Sequence, residues 1–451
     1  MSCTMGIDLG TTSVKVCIVK GTSILKEKQV RHGANIENRV GVQNAKRIID
    51  VAVSLIEEMA EDATRTSSEE LFRIGIAGQQ HGIVMWNSEA LQRGVLDCSE
   101  LYNWMYPGDE KAAAKLPKSS SNCVFPGYGM RTLCELASYP DFDKAHHWDR
   151  CGNIMDYLAC YLTGTDEVQM SESNAYCWGY STGLHWNEEI LPFTPKWIQL
   201  PEIVSTDAGT FTKLGDCRLK ALNGLQVGVA IADLHGCIMS VRGLYDGADH
   251  AYLVLGTSSQ LCFVMSNAVK LPKMPITTHI FPFTKDLILV AAASMNGGNA
   301  LDAFLKSIRQ WSEEMTETKT PNVDMSRILM EVDRVSSQME QGSGKDFPKV
   351  KAVFTAERGS PDTGAEICGL KSNTSLTEML IGVCEGVVHN LFSLVPSELL
   401  TSFGVRKLFL CGNAKQSRFL VHIRRYLQEQ GAELELVLAE TDTSAAYGVA
   451  L

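Results

Sequence analysis

The stretch GIDLGTTSVK, residues 6–15, decides the fold class of this chain. Ile7 and Leu9 alternate with polar or small residues, as in a half-buried β-strand. The alternation stops at Gly10, passes through three hydroxyl residues and resumes at Val14. The stretch therefore predicts two β-strands joined by a tight turn.

The segments that follow predict helices alternating with strands. Apolar residues recur at helical spacing over residues 44–63. Residues 73–78, RIGIAG, have the composition of a buried strand that ends at a glycine. Strands alternating with helices are typical of an α/β domain.

A second stretch in the chain resembles the first turn. Residues 254–259, VLGTSS, repeat the pattern of residues 8–13, DLGTTS: an apolar strand, a glycine and consecutive hydroxyl residues. The two stretches divide the 451 residues into halves of similar length. Since this length is ample for two cores, we predict two domains, residues 1–243 and 244–451.

The composition excludes several classes of protein. The net charge is −11, and the sequence contains no long run of Lys or Arg, so a nucleic-acid binder is not expected. Apolar stretches are too short to span a bilayer, and no secretory leader precedes the first strand, so we expect a cytoplasmic protein without a membrane partner. The fourteen cysteines form no CxxC pair and are expected to be reduced.

The two glycine–hydroxyl turns are candidates for phosphate binding. A turn after a strand directs backbone N–H groups into one concavity, and hydroxyl groups add further donors. Each turn by itself could be an ordinary hairpin turn. The presence of two such turns favours a clamp for a polyphosphate, formed by Thr11, Thr12, Gly256 and Thr257.

Two aspartates at the ends of apolar strands are candidates for chemistry. Asp8 could hold Mg²⁺, which needs one or two protein oxygens beside phosphates, or it could be a turn aspartate. Asp233 follows the apolar residues 227–232 and could accept a proton from an attacking hydroxyl, or it could be a helix N-cap.

Three further segments have polar or glycine-rich character after a strand. Gln80 and His81 lie in GQQHG, residues 78–82, and are side chains suited to sugar hydroxyls, although a lone histidine is more often structural. Trp104 could stack on a sugar or belong to a core. Residues 291–300 and 408–417 each contain a strand followed by a glycine turn, which is a weak signal by itself.

In this order along the chain, the motifs resemble those of the FGGY carbohydrate kinases, a family related to actin, hexokinase and the Hsp70 ATPase domain. The resemblance covers nearly the whole chain. It rests on residues 6–15, 78–82, Asp233, residues 256–258 and residues 412–414. Within the family, residues 171–180 and 292–299 are most similar to the sedoheptulokinases.

The resemblance implies an α/β protein of two ribonuclease-H-like domains, as in the actin and hexokinase ATPases, with ATP and sugar bound in an interdomain cleft. It implies that the N-terminal domain holds the sugar side, the first phosphate turn and the catalytic aspartate, and that the C-terminal domain holds the second phosphate turn and the adenosine side. The implied roles are: catalytic base, Asp233; Mg²⁺-associated aspartate, Asp8; sugar side, Gln80, His81, Trp104, Asn174 and Asp233; nucleotide side, Thr11, Thr12, Gly256, Thr257, Gly297, Gly412, Asn413 and Ser417.

The resemblance implies an ATP-dependent kinase with sedoheptulose as the preferred substrate and sedoheptulose 7-phosphate as the product. Relatives commonly follow the tryptophan with the pattern Trp-x-Asp-x-Arg, whereas this chain has WMYPGD at residues 104–109. This departure leaves xylulose, ribulose or glycerol open as alternative substrates, and a non-catalytic actin-like ATP-binding protein as a third hypothesis. The expected partners are ATP and a small sugar, and a homodimer is left open.

Overall fold

The computed structural model describes most of the chain, namely residues 3–66, 71–140, 142, 147–206, 211–242, 249–275, 277–316, 325–339, 347–439 and 444–451. The chain divides into two compact units. The first comprises Met1–Asp246, Phe281–Asp286 and Thr443–Leu451, and the second comprises Gly247–Ile280 and Leu287–Asp442. The predicted boundary between residues 243 and 244 lies outside the described residues, so the division at that point stays a prediction.

The first unit begins with the predicted strand–turn–strand and contains most of the strands. The strands are β1 (Cys3–Leu9), β2 (Ser13–Lys20), β3 (Ser23–Arg31), β4 (Val42–Gln43), β5 (Leu71–Gly78), β6 (Val84–Trp86), β7 (Leu101–Tyr102), β8 (Arg150–Gly152), β9 (Gln169–Ser171), β10 (Ser181–Thr182), β11 (His185–Trp186), β12 (Glu202–Val204), β13 (Lys213–Asp216), β14 (Gln226–Gly228) and β15 (Ile231–Ala232).

The first unit also contains α-helices, several of which pack on its main sheet. They are Ala45–Thr66, Ser88–Gln92, Glu110–Ala113, Gly129–Ala137, Ile154–Thr163, Glu172–Trp178, Asp233–Arg242 and Ala445–Ala450. The helix predicted over residues 44–63 is confirmed as Ala45–Thr66, and its apolar positions Ile48, Ala52, Ile56 and Met59 are buried against the sheet.

The main sheet of the first unit has the order β13-β14-β5-β1-β2-β3, and β15 also pairs with β5. The pairs β1–β2 and β2–β3 are antiparallel, whereas β5 runs parallel to β1, β14 and β15. Because β1, β5 and β15 are parallel, their carboxyl ends meet at one edge of the sheet. The segments after these three ends are the predicted turn, residues 78–82 and Asp233.

The C-terminal helix Ala445–Ala450 packs on the sheet of the first unit at very short range. A Cβ atom on Gly6 of β1 would lie 1.9 Å from the carbonyl oxygen of Ala446, and one on Gly75 of β5 would lie 2.0 Å from that of Val449. Only glycine permits this approach of helix to sheet. The last residues of the chain therefore belong to the first unit, which the linear division of the sequence did not include.

The second unit has a six-stranded main sheet and a helical layer. Its strands are β16 (His250–Leu255), β17 (Ser259–Ser266), β18 (Thr278–Pro282), β19 (Leu287–Ser294), β20 (Lys349–Lys351), β21 (Glu366–Cys368), β22 (Lys407–Gly412) and β23 (Glu435–Leu438). The last two residues of β18, Phe281 and Pro282, are counted with the first unit. Its helices are Gly298–Thr316, Met325–Met339, Leu376–Leu394, Ser397–Ser402 and Ser417–Glu429.

The sheet of the second unit repeats the topology of the first. Its order is β18-β19-β17-β16-β22-β23, with β16, β17 and β19 antiparallel and β22 parallel to both β16 and β23. Three antiparallel strands followed by parallel ones also describe β3-β2-β1-β5-β14. The echo between residues 8–13 and 254–259 therefore marks equivalent turns, β1 to β2 and β16 to β17.

No helix among the described residues is long and apolar enough to cross a membrane. All fourteen cysteines lie among the described residues, none of them is joined in a disulfide, and most of them are buried.

Candidate active site

The first candidate turn, residues 10–12, joins β1 to β2 and is closed by a hydrogen bond from the Gly10 amide to the Ser13 carbonyl at 3.0 Å. Thr12 is exposed at its tip. The side chain of Gln43 donates to the Thr11 carbonyl at 2.8 Å, and Gln79 donates to the oxygen of Gln43 at 3.1 Å. The turn is therefore held by a chain of two buried amide side chains.

A histidine supports the same turn from its other side. Nδ1 of His32 accepts a hydrogen bond from the Ala34 amide at 3.1 Å, which leaves Nε2–H to donate to the Gly10 carbonyl at 3.3 Å. Burial is the main cause that lowers the pKa of His32, so the ring is neutral. The sequence motifs did not single out His32 or Gln43, because neither side chain belongs to the turn itself.

Asp8 lies on β1 directly across from Lys15 of β2. Its Oδ1 atom is buried, and no described residue donates a hydrogen bond to it. Burial raises the pKa of Asp8 to about 6, and the positive charge of Lys15 only partly offsets this effect. A buried carboxylate oxygen without a donor is suited to a cation or to a shared proton.

Asp233 is the first residue of the helix Asp233–Arg242, immediately after β15. Its Oδ1 accepts a hydrogen bond from the Leu234 amide at 2.8 Å. Burial and, to a smaller extent, the negative charge of Asp8 together raise the pKa of Asp233 to about 7. Asp233 therefore combines the position of a helix-start aspartate with the pKa of a general base near neutral pH.

Gln80 and His81 follow the end of β5, and the Gln79 amide donates to the Leu9 carbonyl at 2.9 Å, which joins this segment to the end of β1. His81 has a φ of +78°, a conformation that non-glycine residues rarely adopt. Its ring stacks on Tyr128 at 4.3 Å between centroids, and its Nδ1 donates to the Cys177 carbonyl at 2.7 Å. Strain of this kind persists where the surroundings enforce it, often at functional sites.

Trp104 and Asn174 occupy different positions relative to the first turn. The Trp104 indole N–H donates to the Thr11 hydroxyl at 3.1 Å, so this predicted sugar-side residue contacts the predicted phosphate turn directly. Asn174 is fully buried in the helix Glu172–Trp178, and its Nδ2 donates to the Ala230 carbonyl at 3.1 Å. Asn174 therefore holds the segment that leads to Asp233.

The unusual segment after Trp104 uses its aspartate for helix capping. Asp109 accepts from the amides of Lys111 and Ala112 at the start of the helix Glu110–Ala113, and it accepts from the Tyr139 hydroxyl at 2.7 Å. Because these three donors engage the carboxylate, Asp109 is a structural aspartate; it follows Tyr106 and Gly108, which stand where the family pattern has Asp and Arg.

In the second unit, the turn at Gly256 and Thr257 joins β16 to β17 and is closed by the Gly256 amide, which donates to the Ser258 carbonyl at 2.9 Å. Gly297 lies against this turn, since a Cβ atom on it would fall 2.5 Å from the carbonyl carbon of Ser258. The amides of Gly298 and Asn299 donate to the carbonyls of Gly256 and Thr257 at 2.9 and 3.0 Å.

Gly412 is the last residue of β22, the parallel neighbour of β16, and it pairs with Leu255; Asn413 follows it. Gly412 has a φ of +62°, and a Cβ atom on it would lie 2.7 Å from the carbonyl oxygen of Leu255. Ser417 begins the helix Ser417–Glu429. The structure thus brings Gly256, Thr257, Gly297, Gly412 and Asn413 to one edge of the sheet, whereas Ser417 lies further along the chain at the start of the next helix.

Behind the second turn lies a buried polar cluster that the motifs did not assign. Glu357 accepts hydrogen bonds from Ser294, Met295, Asn296 and Asn390. The only signal in the sequence was the segment Ala356-Glu357-Arg358, which resembles a family motif without a stated role.

The comparisons with known proteins agree with this arrangement. The profile of the N-terminal domain of the FGGY family of carbohydrate kinases matches residues 3–236, just over half of the chain. The human sedoheptulokinase is 28% identical over 441 residues, which cover 91% of this chain and 89% of that protein.

Solved structures share the fold. A xylulose kinase from Brucella ovis superposes with a TM-score of 0.77 at 19% identity, over 99% of this chain and 89% of that one. A glycerol kinase from Plasmodium falciparum, solved with ADP, has a TM-score of 0.74 at 16% identity, over 100% of this chain and 88% of that one. At these identities the likeness concerns the fold, and it confirms the predicted α/β class of two ribonuclease-H-like, actin- and hexokinase-like domains.

The family match extends over the strands that carry Asp8, the first turn, residues 78–82 and Asp233. Members of this family are phosphotransferases, and a kinase takes ATP as its phosphate donor. The chain therefore belongs to the FGGY family of carbohydrate kinases and is an ATP-dependent sugar kinase.

Proposed function

We propose that this chain transfers the γ-phosphate of ATP to sedoheptulose, which gives ADP and sedoheptulose 7-phosphate. The observation that carries this proposal is the similarity to the human sedoheptulokinase, which extends over 91% of this chain and 89% of that protein. A xylulose, ribulose or glycerol kinase is the second candidate, favoured only by the WMYPGD segment, residues 104–109.

In this proposal Asp233 is the catalytic base. The hydroxyl that attacks the γ-phosphorus must lose its proton, and most of the barrier is lowered by positioning and charge stabilisation. A carboxylate with a pKa of about 7 is a stronger base than an ordinary aspartate and is still largely ionised at slightly alkaline pH. Gln80, His81, Trp104 and Asn174 would form or support the sugar side in the same unit.

Asp8 is the proposed partner of Mg²⁺. The described residues contain no group of three or more His, Cys, Asp or Glu side chains able to hold a metal by themselves. Mg²⁺ in kinases usually keeps several waters and binds one or two carboxylates together with the phosphates. Asp8, with a buried oxygen that no described residue engages, fits this requirement, and the ion would neutralise charge on the transferred phosphoryl group.

The second unit supplies the nucleotide side in this proposal. Thr11 and Thr12 in the first unit and Gly256 and Thr257 in the second would donate to phosphate oxygens. The other proposed nucleotide-side residues are Gly297, Gly412, Asn413 and Ser417. Two exposed glycine–hydroxyl turns without acidic side chains at their tips support this role.

A panel of acceptors tests the substrate. The purified protein is incubated with ATP, Mg²⁺ and sedoheptulose, xylulose, ribulose or glycerol, and ADP release and the phosphorylated product are measured. We expect the highest kcat/KM with sedoheptulose. A higher value with xylulose, ribulose or glycerol would establish the second candidate instead.

A further inference from the structure

The turn at Gly256 and Thr257 depends on a neighbouring segment for its shape. Residues 297–299 contact it through two backbone hydrogen bonds and through the close approach of Gly297 to Ser258. The side chain of Asn299 also accepts from the Gly297 amide at 2.8 Å, which closes the segment on itself. The position of residues 297–299 therefore sets the position of the turn.

The segment that precedes residues 297–299 is held by one carboxylate. Oε1 of Glu357 accepts from the Ser294 hydroxyl at 2.6 Å and from the side-chain Nδ2 of Asn296 at 2.8 Å. Oε2 accepts from the Met295 backbone amide at 2.8 Å. Asn390 of the helix Leu376–Leu394 donates to Oε1 at 2.8 Å. Four donors therefore converge on a side chain that is only 7% exposed.

Asn296 makes further bonds that extend this network to the turn. Its Nδ2 donates to the Thr355 carbonyl at 2.8 Å, and its Oδ1 accepts from the Thr355 amide at 3.0 Å. Its carbonyl accepts from the hydroxyl of Ser259, the residue that follows the turn, at 2.8 Å. Asn296 thus joins Glu357 by hydrogen bonds to Ser259 after the turn, and residues 297–299, next to Asn296 in the chain, bond to the turn itself.

The charge of Glu357 is needed for this arrangement. A buried carboxylate is tolerated when donors surround it, and bonds to an ionised acceptor are stronger than neutral ones. The four donors to Glu357 are one hydroxyl, two side-chain amides and one backbone amide, so its carboxylate is held by neutral groups. An amide of the same shape would replace one acceptor oxygen by an NH₂ group facing donors.

We infer that Glu357 is a positioning residue for ATP: its carboxylate fixes residues 294–299 and through them the turn that the proposed function assigns to phosphate binding. This inference rests on that assignment. Glu357 itself need not contact the nucleotide. Its loss would weaken ATP binding and leave the sugar side, which belongs to the other unit, unaffected.

The test is the variant Glu357→Gln with direct measurement of ATP binding by calorimetry in the absence of sugar. We expect the Kd for ATP to rise roughly ten- to hundredfold, because a buried acceptor for charge-assisted bonds is lost. The Kd for the sugar is expected to change less than about twofold. The matched control is Glu385→Gln, which alters another buried glutamate of the same unit, paired with Lys349 at 3.0 Å. It should lower thermal stability without changing the Kd for ATP.

A second variant covers the case in which Glu357→Gln does not fold. Ser294→Ala removes one donor to Glu357, and we expect a rise of several-fold in the Kd for ATP. An unchanged Kd for ATP in either folded variant would overturn the inference, as would equal losses of ATP and sugar binding. Failure of the sedoheptulose assignment would appear in the acceptor panel and would leave these ATP measurements unchanged.

Discussion

The two glycine–hydroxyl turns of this chain share a sequence pattern and a place in the sheet, but their supports differ. The turn after β1 is held by neutral side chains from Gln43, His32 and Trp104. The turn after β16 is held by the backbone of residues 297–299, behind which lies the buried carboxylate of Glu357. The same local motif is therefore stabilised by different chemistry in each unit.

The difference extends to the charges beside each turn. Asp8 and Asp233 lie at the edge of the first sheet with raised pKa values, whereas the corresponding edge of the second sheet carries Gly297, Gly412 and Asn413. In our proposal the first turn belongs to the reacting end of ATP and the second turn only binds it. Loss of Asp233 should then affect turnover, and loss of groups in the second turn should affect nucleotide affinity.

The largest expected effect is that of Asp233→Asn. Loss of a general base is expected to lower kcat by about 10²- to 10⁴-fold. The Kd for ATP should remain within about twofold of the parent value, since the asparagine keeps the shape of the side chain. Steady-state kinetics at saturating ATP and sugar, together with calorimetry, measure both quantities. The matched control is Asp156→Asn, a buried carboxyl of the same unit, and a kcat near the parent value for Asp233→Asn would remove the base assignment.

The next largest effect is on the Mg²⁺ requirement, which should change in a variant beside the first turn and not in a variant of the second. Asp8→Asn should raise the Mg²⁺ concentration required for half-maximal activity by about tenfold, because a carboxylate ligand becomes a neutral amide. Thr257→Ala, in the second turn, should leave this concentration unchanged. The measurement is a titration of activity with Mg²⁺ at fixed ATP. An equal Mg²⁺ requirement in the parent and in Asp8→Asn would contradict the role proposed for Asp8.

A smaller effect is expected from Trp104→Phe, which keeps an aromatic ring and removes the N–H that bonds the Thr11 hydroxyl. The KM values for both ATP and sugar should rise by about fivefold, because one hydrogen bond links the sugar side to the first turn. Thr257→Ala should raise the KM for ATP alone. If Trp104→Phe changed only the KM for sugar, the hydrogen bond from Trp104 to Thr11 would have no effect on ATP binding.

The smallest effect on activity is expected from Asp156→Asn, which should instead change how stability depends on pH. Burial raises the pKa of Asp156 from 3.8 to about 8, and its one backbone donor, the Asn153 amide at 2.8 Å, only partly offsets this. Between these two pH values the unfolded state binds fewer protons than the folded state, so the free energy of unfolding falls as the pH rises. Below pH 3.8 the carboxyl is protonated in both states and contributes no pH dependence.

The variant Asp156→Asn cannot ionise at this position, so its Tm should fall less than that of the parent as the pH is raised from 5 towards 8. The difference between the two falls in Tm should be roughly 5 °C or more. Thermal unfolding followed by circular dichroism gives the comparison. The control Asp302→Asn alters an exposed aspartate and should follow the parent. Parallel Tm curves for the parent and Asp156→Asn would show that Asp156 is ionised in the folded state.

Several elements could be predicted from the sequence because their signals are local. The strands β1 and β5, the helix Ala45–Thr66 and the repeated turn each depend on the alternation or periodicity of nearby apolar residues and on a glycine at the turn. Parallel strands bring their carboxyl ends together, so Asp8, residues 78–82 and Asp233 could be expected at one edge. The apolar run at residues 227–232, in contrast, forms two short strands, β14 and β15, which the alternation alone did not resolve.

The sequence by itself determined the α/β class, the internal repeat and the candidate residues at the strand ends, since these follow from patterns a few residues long. Only the tertiary structure decided what supports those residues. Gln43 meets Thr11, Glu357 meets Ser294 and Asn390, and the helix Ala445–Ala450 lies on Gly6, each across tens to hundreds of residues. A buried polar group must find a partner wherever the fold brings one, and no local pattern specifies a partner so distant in sequence.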